Sequence, residues 1–572
     1  MRHTMLVLGL GLLLATSARA AADHERCLSD SGKAANKCLL QYQGGVERCR
    51  DRGDAACEAA LRVDHGPLAG LRDAVSTAAV SQCVESDTTP LGYLSLPDIG
   101  SKAADACADW SEDQLTLAYG ATPVAPAPPL ALCQRTVAAA LRNASRRAVV
   151  AYGPQCYVPA FTGAGCDRSA RDARVAALRS QAVRAIATRC GASFDDLHLV
   201  AASDAPLEDR VGGLVDTALT RAKHFALRVY PPRDLGPTSQ YGPYPIGITT
   251  LSLSDSTRMN VAGTGPRPVT VEVYYPSTAE AVAGHPKDVA MVLGTPVLET
   301  PAYRDVALAP GDPRPLVLFS HGNNGIRIQS FFFAAHLASH GYIVVSPDHH
   351  GNTFVDTLAG IVDPQVATNR PLDMRFLIDT FLGFNNTPGN FFAGSINPDQ
   401  IGMSGHSFGG YTTLALAGGS FALGTFTEPR IKAIFPQAPA APFDDSFFAS
   451  ITIPTMIVGG SLDETVSPAD DQQRPFDHLP AGAAVAAYAD LTDAGHYTFS
   501  DFCEVQRDLL SFLGGFNEAC QPRHLPWRHA HDIVNYLSLN FFDATLRGDA
   551  AALSRLAPAT VGQIEELTYQ SK

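Results

Sequence analysis

Six residues in the second half of the chain have the types and spacing that a nucleophilic serine requires. They read Gly405-His406-Ser407-Phe408-Gly409-Gly410, and they follow an apolar and small-residue run, 401–404, that predicts a strand. In a G-x-S-x-G turn, the glycines on either side of the serine leave room for the neighbouring strand and helix. The spacing therefore predicts a nucleophile elbow, a strained turn that exposes the Ser407 hydroxyl for attack on a carbonyl carbon.

A serine nucleophile needs an acid and a base, and two later strand ends could supply them. An imidazole must take the serine proton, and a carboxylate must fix the imidazole tautomer. The apolar run 453–460 leads to Asp463, and the strand-like run 484–491 leads to His496. We predict Asp463 as the acid and His496 as the base, in the chain order Ser, Asp, His. Glu464 is an alternative acid, while loop capping by Asp463 and a surface position for His496 are the non-catalytic alternatives.

The predicted strand 315–320 runs into the loop His321-Gly322-Asn323-Asn324-Gly325, which could complete an oxyanion hole. Backbone N–H groups aimed at the developing oxyanion stabilise the transition state of acyl transfer. We predict the amides of Asn323 and Phe408 as the two donors, the second being the residue just after the nucleophile. An ordinary glycine-rich turn is the alternative interpretation of this loop.

The sequence predicts no metal and no organic cofactor. His349 and His350 are adjacent, and adjacent side chains of an extended segment point to opposite faces, which disfavours a shared ion. The absence of H-E-x-x-H, C-x-x-C and Walker-type motifs argues against a zinc protease, a thiol redox enzyme and an NTPase.

Several short motifs between residues 226 and 546 resemble a known family when they are taken together. Besides the elbow, they are Gly242 to Gly247, Val271 to Ser277, Phe319 to Gly322, Leu337 to Tyr342, Asn369 to Asp373 and His496 to Phe502. The chain resembles the bacterial dienelactone-hydrolase-like proteins related to platelet-activating-factor acetylhydrolase and, more distantly, polyester hydrolases. The resemblance implies an α/β fold with a doubly wound α/β-hydrolase sheet.

The chain departs from this family pattern at one position. The resemblance implies that acetylhydrolases of the plasma type take their acid from the loop one strand earlier. That loop corresponds here to Phe435-Pro436-Gln437-Ala438-Pro439. That stretch contains no carboxylate, so Asp463 is the acid that the pattern of other α/β hydrolases implies. Asp444 and Asp445 are the alternatives.

The N-terminus and the cysteines indicate an exported protein. A charged start, an apolar run from Met5 to Ala15 and the sequence Ala18-Arg19-Ala20 predict a secretory signal peptide over residues 1–20. No run is long enough to predict a transmembrane anchor. The 12 cysteines suit a periplasmic or extracellular location, and we predict a disulfide between Cys503 and Cys520. The net charge of −14 argues against nucleic-acid binding.

Residues 21–225 differ in composition from the predicted catalytic domain, 226–572. They are rich in alanine and arginine, and the stretches 137–150 and 170–189 have apolar residues at helical spacing. Ten cysteines recur there, often 22 to 26 residues apart, which predicts a disulfide-braced helical domain, in the form of stapled helical hairpins. A proline-rich break near 121–130 divides them into groups of six and four, so each part could close its own disulfides. This domain could dock an unknown surface or partner.

These observations predict a secreted serine carboxylic-ester hydrolase. The resemblance favours short-chain acyl esters or acetylated phospholipids, and a polyester or cutin-like substrate is the alternative. Phenylalanine pairs and triplets at 331–333, 391–392 and 447–448 could line an acyl pocket or fill the core. A serine peptidase and a non-catalytic binding protein on a hydrolase fold are the competing functions.

Overall fold

The computed structural model describes residues 2–52, 54–63, 66–85, 93, 95–120, 128–161, 163–201, 203–232, 235–504 and 517–572. It gives no account of the side chains of 2–23, 128–129 and 517–518. The chain forms two compact units. The first comprises 1–234 with 521–529, and the second comprises 235–520 with 530–572.

The first unit is helical, as the sequence predicts. Its helices are α1 (Arg2–Arg50), α2 (Ala55–Arg62), α3 (Pro67–Ala79), α4 (Leu96–Tyr119), α5 (Pro128–Tyr152), α6 (Val158–Phe161), α7 (Arg168–Cys190) and α8 (Leu207–Val229). A π-helical turn, Gly153–Tyr157, and a 3₁₀ helix, Gly191–Leu197, follow α5 and α7. The predicted boundary after residue 225 falls inside α8. The predicted signal peptide lies almost wholly in the part of α1 whose side chains are not described, and most of the proline-rich break lies outside the described residues.

Five disulfides brace the helices of the first unit. They join Cys27 to Cys83, Cys38 to Cys107, Cys49 to Cys57, Cys133 to Cys190 and Cys156 to Cys166. The first six cysteines thus pair among themselves, as do the last four. The bonded partners are not the ones spaced by 22 to 26 residues, because the long helices bring distant turns together while the two short bridges close local loops.

The second unit is built on one large sheet. Its strands are β1 (Ile246–Met259), β2 (Pro266–Pro276), β5 (Tyr303–Arg304), β6 (Arg314–Ser320), β7 (Ile343–Pro347), β8 (Ile396–His406), β11 (Ile431–Gln437), β12 (Thr455–Gly460), β13 (Ala486–Leu491) and β14 (Leu567–Ser571). Two small hairpins are separate: β3 (Val289–Val292) with β4 (Thr295–Glu299), and β9 (Ser420–Phe421) with β10 (Gly424–Thr425). The sheet order is β14-β13-β12-β11-β8-β6-β7-β2-β1-β5.

The central strands are parallel from β7 through β13, and β2 runs antiparallel to its neighbours β1 and β7. This order and polarity is that of an α/β-hydrolase sheet, as the resemblance implies. Strands β6, β7 and β12 are buried along their whole length, since parallel strands are covered on both faces. The predicted strand 484–491 corresponds to β13, and the antiparallel edge strand β14 pairs with it.

Helices cover the sheet of the second unit. They are α9 (Ala279–Val282), α10 (Phe331–Ser339), α11 (Phe354–Leu358), α12 (Val366–Asn386), α13 (Phe408–Ala417), α14 (Asp445–Ala449), α15 (Arg474–His478), α16 (Asn517–Cys520), α17 (Trp527–Leu546), α18 (Ala550–Arg555) and α19 (Pro558–Val561). Helix α17 begins in the segment 521–529 and continues in the second unit. Short helical turns lie at Pro237–Ser239, Pro468–Gln473, His496–Phe499 and Asp501–Glu504.

The phenylalanine clusters mostly fill the core. Phe331, Phe332 and Phe333 are buried on α10, and Phe447 and Phe448 are buried on α14. Only Phe391 of the predicted set is exposed.

Within the described residues, no helix is both long and apolar enough to cross a membrane.

Candidate active site

Ser407 lies at the carboxyl end of the central strand β8, in the turn that leads into α13. Its backbone has φ 58° and ψ −117°, a sparsely populated conformation for a residue with a side chain. A Cβ atom on Gly409 would lie 1.8 Å from the Ser320 carbonyl oxygen, and one on Gly405 would lie 2.4 Å from the Gly409 carbonyl oxygen. Only glycine fits at these two positions, so the sequence pattern corresponds to a real steric requirement of the turn.

Asp463 and His496 follow β12 and β13 at the same edge of the sheet. His496 Nδ1 lies 2.8 Å from Asp463 Oδ2, and both side chains are buried. Asp463 also accepts hydrogen bonds from the backbone of Thr465 and Val466 and from the Gln472 amide. A carboxylate held by four donors keeps one oxygen on Nδ1, which leaves Nε2 of His496 without a proton and able to accept one.

The alternative acids occupy other positions. Asp444 accepts from the Ser446 hydroxyl at 2.7 Å and, as the N-cap of α14, from the Phe447 amide at 2.8 Å. These hydrogen bonds, the Ser446 one first, lower the pKa of its carboxyl group. Asp445 pairs with Arg474 and His478. Glu464 is exposed. Among these carboxylates, only Asp463 is in contact with His496.

Backbone contacts hold the loop that carries Asp463 against the loop that carries His496. The Leu462 amide donates to the Ala494 carbonyl at 2.9 Å, and the Asp493 amide donates to the Ser461 hydroxyl at 2.8 Å. A Cβ atom on Gly460 would lie 2.4 Å from the Ala494 carbonyl oxygen. Glycine at this strand end therefore allows the approach that brings Asp463 to His496.

His406, the residue before Ser407, links the Ser407 turn to His496. Its Nε2 lies 2.9 Å from the His496 carbonyl, and its Nδ1 lies 2.7 Å from the Gln329 amide nitrogen. Since the carbonyl can only accept, the proton is on Nε2. Burial, followed by the proximity of His496, lowers the pKa of His406 well below its ordinary value. His406 is therefore neutral and acts as a fixed link, which the sequence analysis did not identify.

The loop after β6 lies beside the serine. A Cβ atom on Gly322 would lie 3.4 Å from Ser407 Cβ, and the Gly322 amide donates to Gln329 Oε1 at 3.0 Å. The amide of Asn323 makes no hydrogen bond within the described part of the chain. The amide of Phe408 opens α13, where the helix supplies no acceptor. Both predicted donors are thus available to a ligand oxygen.

Behind this loop lies a buried polar layer that the sequence analysis did not predict. His349 Nδ1 bonds Asp373 at 2.9 Å, and His349 Nε2 bonds the Ser320 hydroxyl at 2.9 Å. Arg267 pairs with Asp373 at 2.8 Å, and Arg370 donates to the Ser320 hydroxyl at 3.1 Å. The signals for this layer in the sequence are the motifs Phe319 to Gly322 and Asn369 to Asp373 of the resemblance, which contain Ser320, Arg370 and Asp373.

This layer forms a second Ser-His-Asp arrangement, but solvent cannot reach it. Ser320, His349 and Asp373 are wholly buried, whereas Ser407 retains 9% of its exposure. Burial, then the charge of Arg370, lowers the pKa of His349 to about 3. Burial opposes ionisation of Asp373, yet hydrogen bonds from His349 and Arg267 hold the pKa of its carboxyl group below the ordinary value. The layer is a structural support.

The described residues contain no group of three or more histidine, cysteine or acidic side chains that could hold a metal ion. His349 belongs to the buried layer, and the His350 ring lies 3.8 Å from Asp356. The two adjacent histidines therefore have different partners.

The segment after His496 is fixed by a disulfide and by contacts to α10. Cys503 is bonded to Cys520, as the sequence predicts, with 5.4 Å between their Cα atoms. Asp501 accepts from the Phe332 amide at 2.9 Å, and the Ser330 hydroxyl donates to the Phe499 carbonyl at 2.9 Å. These contacts hold the turn that presents His496.

Comparisons with known proteins agree with this description. A PET hydrolase-like family model matches residues 323–516, and a model of platelet-activating factor acetylhydrolase, isoform II, matches residues 281–364. Both families are α/β hydrolases, as the sequence motifs indicate. Cutinase 1 of Thermobifida cellulosilytica is 25% identical over 181 residues, 32% of this chain and 60% of that protein. A cutinase of Thermobifida fusca (strain YX) is 25% identical over 32% of this chain and 52% of its own length.

The chain thus spans between about half and 60% of the curated relatives that it matches. A solved structure, a ferulic acid esterase from Streptomyces cinnamoneus, aligns with a TM-score of 0.43 and 23% identity, covering 57% of this chain and 97% of that one.

Proposed function

We propose that this chain is a secreted serine carboxylic-ester hydrolase that acts through Ser407, His496 and Asp463. The observation that carries the proposal is the 2.8 Å contact between His496 and Asp463 at the strand edge where the strained Ser407 turn lies. Nucleophile, base and acid follow three strands of one sheet, at the carboxyl edge where α/β enzymes bind ligands.

In the proposed mechanism, the Ser407 hydroxyl oxygen attacks the ester carbonyl while His496 Nε2 takes its proton. The amides of Asn323 and Phe408 bind the oxyanion, and each such donor is worth on the order of 3 kcal/mol. His496 then gives the proton to the departing alcohol, which leaves an acyl-serine. Water, deprotonated by His496, hydrolyses that ester and releases the acid. Asp463 keeps the imidazole oriented and stabilises its charged form.

Two substrate classes fit this machinery. The sequence motifs favour short-chain acyl esters, including acetylated phospholipids. The PET hydrolase-like match and the cutinase relatives support esters of polymers as the second candidate, since the matched residues 323–516 contain Asn323, Ser407, Asp463 and His496. Release of acid from an acetylated phospholipid, compared with release from an aliphatic polyester film, distinguishes the two.

A fluorophosphonate probe tests the activity. We expect stoichiometric labelling of the wild-type chain, no labelling of Ser407→Ala, and unchanged labelling of Ser420→Ala, a control at an exposed hairpin serine. Hydrolysis of p-nitrophenyl esters of increasing acyl length should depend on Ser407 in the same way. Folded wild-type protein that neither labels nor hydrolyses esters would favour a non-catalytic binding protein.

We also propose that the first unit docks an anionic surface or partner outside the cytoplasm. Two adjoining grooves of about 480 and 550 Å³ share the lining residues Arg135 and Arg146, and Arg142 lines the larger groove. Arg142 pairs with Glu47, while Arg135 and Arg146 are exposed and have no ionic partner among the described residues. Free guanidinium groups along one helix face attract anions, even though the chain as a whole is acidic.

Binding of the full chain to carboxylate-coated beads tests the docking proposal. The double variant Arg135→Gln with Arg146→Gln should bind less at low salt. Arg184→Gln with Arg189→Gln removes the same charge from exposed positions on α7 outside the grooves and should bind as wild type. Equal retention of both variants would contradict a role for the grooves.

The twelve paired cysteines support a periplasmic or extracellular location.

A further inference from the structure

We propose that Arg370 is a positioning residue of the oxyanion hole, which holds and polarises the peptide group that contributes the Asn323 N–H. This inference rests on the proposed function, because it assigns a role within the same site.

The Arg370 guanidinium is wholly buried and donates hydrogen bonds to the loop after β6. It donates to the carbonyl of His321, to that of Gly322 at 3.4 Å and to the Ser320 hydroxyl at 3.1 Å. It also donates to the side chains of Asn352 and Thr412. All these acceptors are neutral. Among the described residues, no carboxylate forms a direct ion pair with Arg370, so its charge is directed at the loop.

The contact with Gly322 acts on the predicted donor itself. The Gly322 carbonyl and the Asn323 N–H belong to one peptide group. That carbonyl also accepts from His321 Nδ1 at 2.7 Å, while His321 Nε2 accepts from the His349 amide at 3.1 Å, which fixes the proton on Nδ1. The Gly325 amide also donates to this carbonyl, at 3.1 Å. Three donors on one carbonyl, one of them cationic, polarise the peptide and strengthen its N–H as a donor.

Arg370 also contacts the rest of the proposed hole. Asn352, which accepts from Arg370, donates to the Asn323 side chain at 2.8 Å. The guanidinium carbon lies 4.7 Å from the centre of the Phe408 ring, and Phe408 supplies the second predicted amide. One buried cation therefore fixes the backbone and side chain of Asn323 and packs on the residue after the nucleophile.

The surrounding groups keep this cation charged. Burial lowers the pKa of Arg370 to about 9, the charge of Asp373 opposes this, and Arg267 lowers it further. The guanidinium therefore remains protonated at neutral pH. Among the described residues no peptide bond is cis, so the Gly322 carbonyl that Arg370 contacts and the Asn323 N–H point in opposite directions. An oxyanion bound by that N–H would therefore lie on the side of the peptide away from the guanidinium.

The test compares substitutions at Arg370 with a matched change on the same helix. We expect Arg370→Met to lower kcat for p-nitrophenyl acetate by about 10- to 100-fold with little change in KM, less than the loss of a complete oxyanion donor. Arg370→Lys, which keeps the charge but not the planar fork, should fall between wild type and Arg370→Met. Arg375→Gln, at a half-buried position of α12 where the side chain donates to the Thr427 carbonyl, should behave as wild type.

A transition-state analogue separates polarisation from general damage to the fold. A trifluoromethyl ketone forms a tetrahedral oxyanion adduct with the serine, so its Ki should rise by the same factor as kcat/KM falls. End-point titration with the fluorophosphonate corrects each rate for the folded fraction. If Arg370→Met does not fold, Asn352→Asp places a carboxylate against the guanidinium and should give the same correlated loss.

Three results are possible. Correlated changes in Ki and kcat/KM at full titre support the proposal. Unchanged Ki and kcat/KM per titrated site in Arg370→Met, or in Asn352→Asp where Arg370→Met does not fold, would overturn it. A wild-type chain that does not react with the fluorophosphonate would instead overturn the proposed ester hydrolase function on which this inference rests.

Discussion

Asp463 accepts four hydrogen bonds, and only one of them comes from His496. The Thr465 and Val466 amides hold Oδ1, while Gln472 and His496 donate to Oδ2. Both Gln472 and His496 donate to Oδ2, so this position requires an atom that accepts hydrogen bonds. An amide nitrogen of the same size is itself a donor and would face these two donors.

Asp463→Asn tests this requirement. The asparagine oxygen can keep the two backbone contacts, so the fold should persist, but its nitrogen would stand opposite His496 Nδ1. The imidazole would then lose the tautomer that leaves Nε2 free, and we expect kcat to fall by roughly 10³- to 10⁴-fold with little change in KM. Asp445→Asn, an exposed carboxylate paired with Arg474, is the control for the substitution. Retention of more than about a tenth of kcat would place the acid elsewhere.

The residues at strand ends could be predicted because each follows a recognisable apolar run. The positions of Ser407, Asp463 and His496 could be predicted from the order of strands and turns alone. Arg370 could not be given a role in the same way, because its acceptors come from the loop after β6, the loop after β7 and helix α13. The geometry of a buried guanidinium depends on how those elements pack, and no spacing within one segment encodes it.

At the scale of elements, the elbow depends on a close approach between the backbone of β6 and the start of α13. Strand β8 pairs with β6 on one side and β11 on the other. Helix α13 begins at Phe408, directly after the Ser407 turn that follows β8. The Ser320 carbonyl occupies the space beside Gly409. The glycines were predictable from the motif, whereas the neighbour that excludes a side chain became evident only from the sheet order.

Gly409→Ala should therefore be far more damaging than a glycine replacement elsewhere. The new methyl group would meet backbone, which cannot move without shifting β6, and we expect a loss of more than about 3 kcal/mol of stability. Gly383→Ala, at an exposed position of α12 with no neighbour within 4 Å, should be neutral or stabilising by about 0.5–1 kcal/mol. Thermal unfolding checks both. A Gly409→Ala melting temperature within about 2 °C of wild type would contradict the steric argument.

At the scale of the whole molecule, the two units should unfold with separate signals. The chain has two tryptophans, Trp110 and Trp527, and both belong to the first unit. Trp527 begins helix α17, which continues in the second unit, so the fluorescence of Trp110 in a Trp527→Phe chain follows the first unit alone. A calorimetric transition without a change in that fluorescence belongs to the second unit. This division matters because a chain of two units cannot be assumed to unfold in a single step.

The second unit should lose stability in mild acid, because its buried imidazoles are held neutral. Burial is the main cause that lowers the pKa of His349 to about 3 and the pKa values of His321 and His406 well below normal. In the unfolded chain these groups titrate near pH 6.5. Below that pH these three histidines bind up to three more protons in the unfolded state, so their contribution to stability falls with decreasing pH by as much as about 4 kcal/mol per pH unit. Carboxylates such as Asp373 have lowered pKa values as well, but their contribution is lost only below about pH 4.

Calorimetry between pH 7.5 and 5 isolates the histidine contribution. We expect the melting temperature of the second unit to fall steeply from about pH 6.5 downwards, and the slope should be about one proton smaller in His349→Gln. His285→Gln, at an exposed histidine, should leave the slope unchanged. A melting temperature that stays constant between pH 7 and 5 would mean that these imidazoles take up protons without unfolding. The buried layer could then not be the rigid, neutral support that holds the loop beside Ser407.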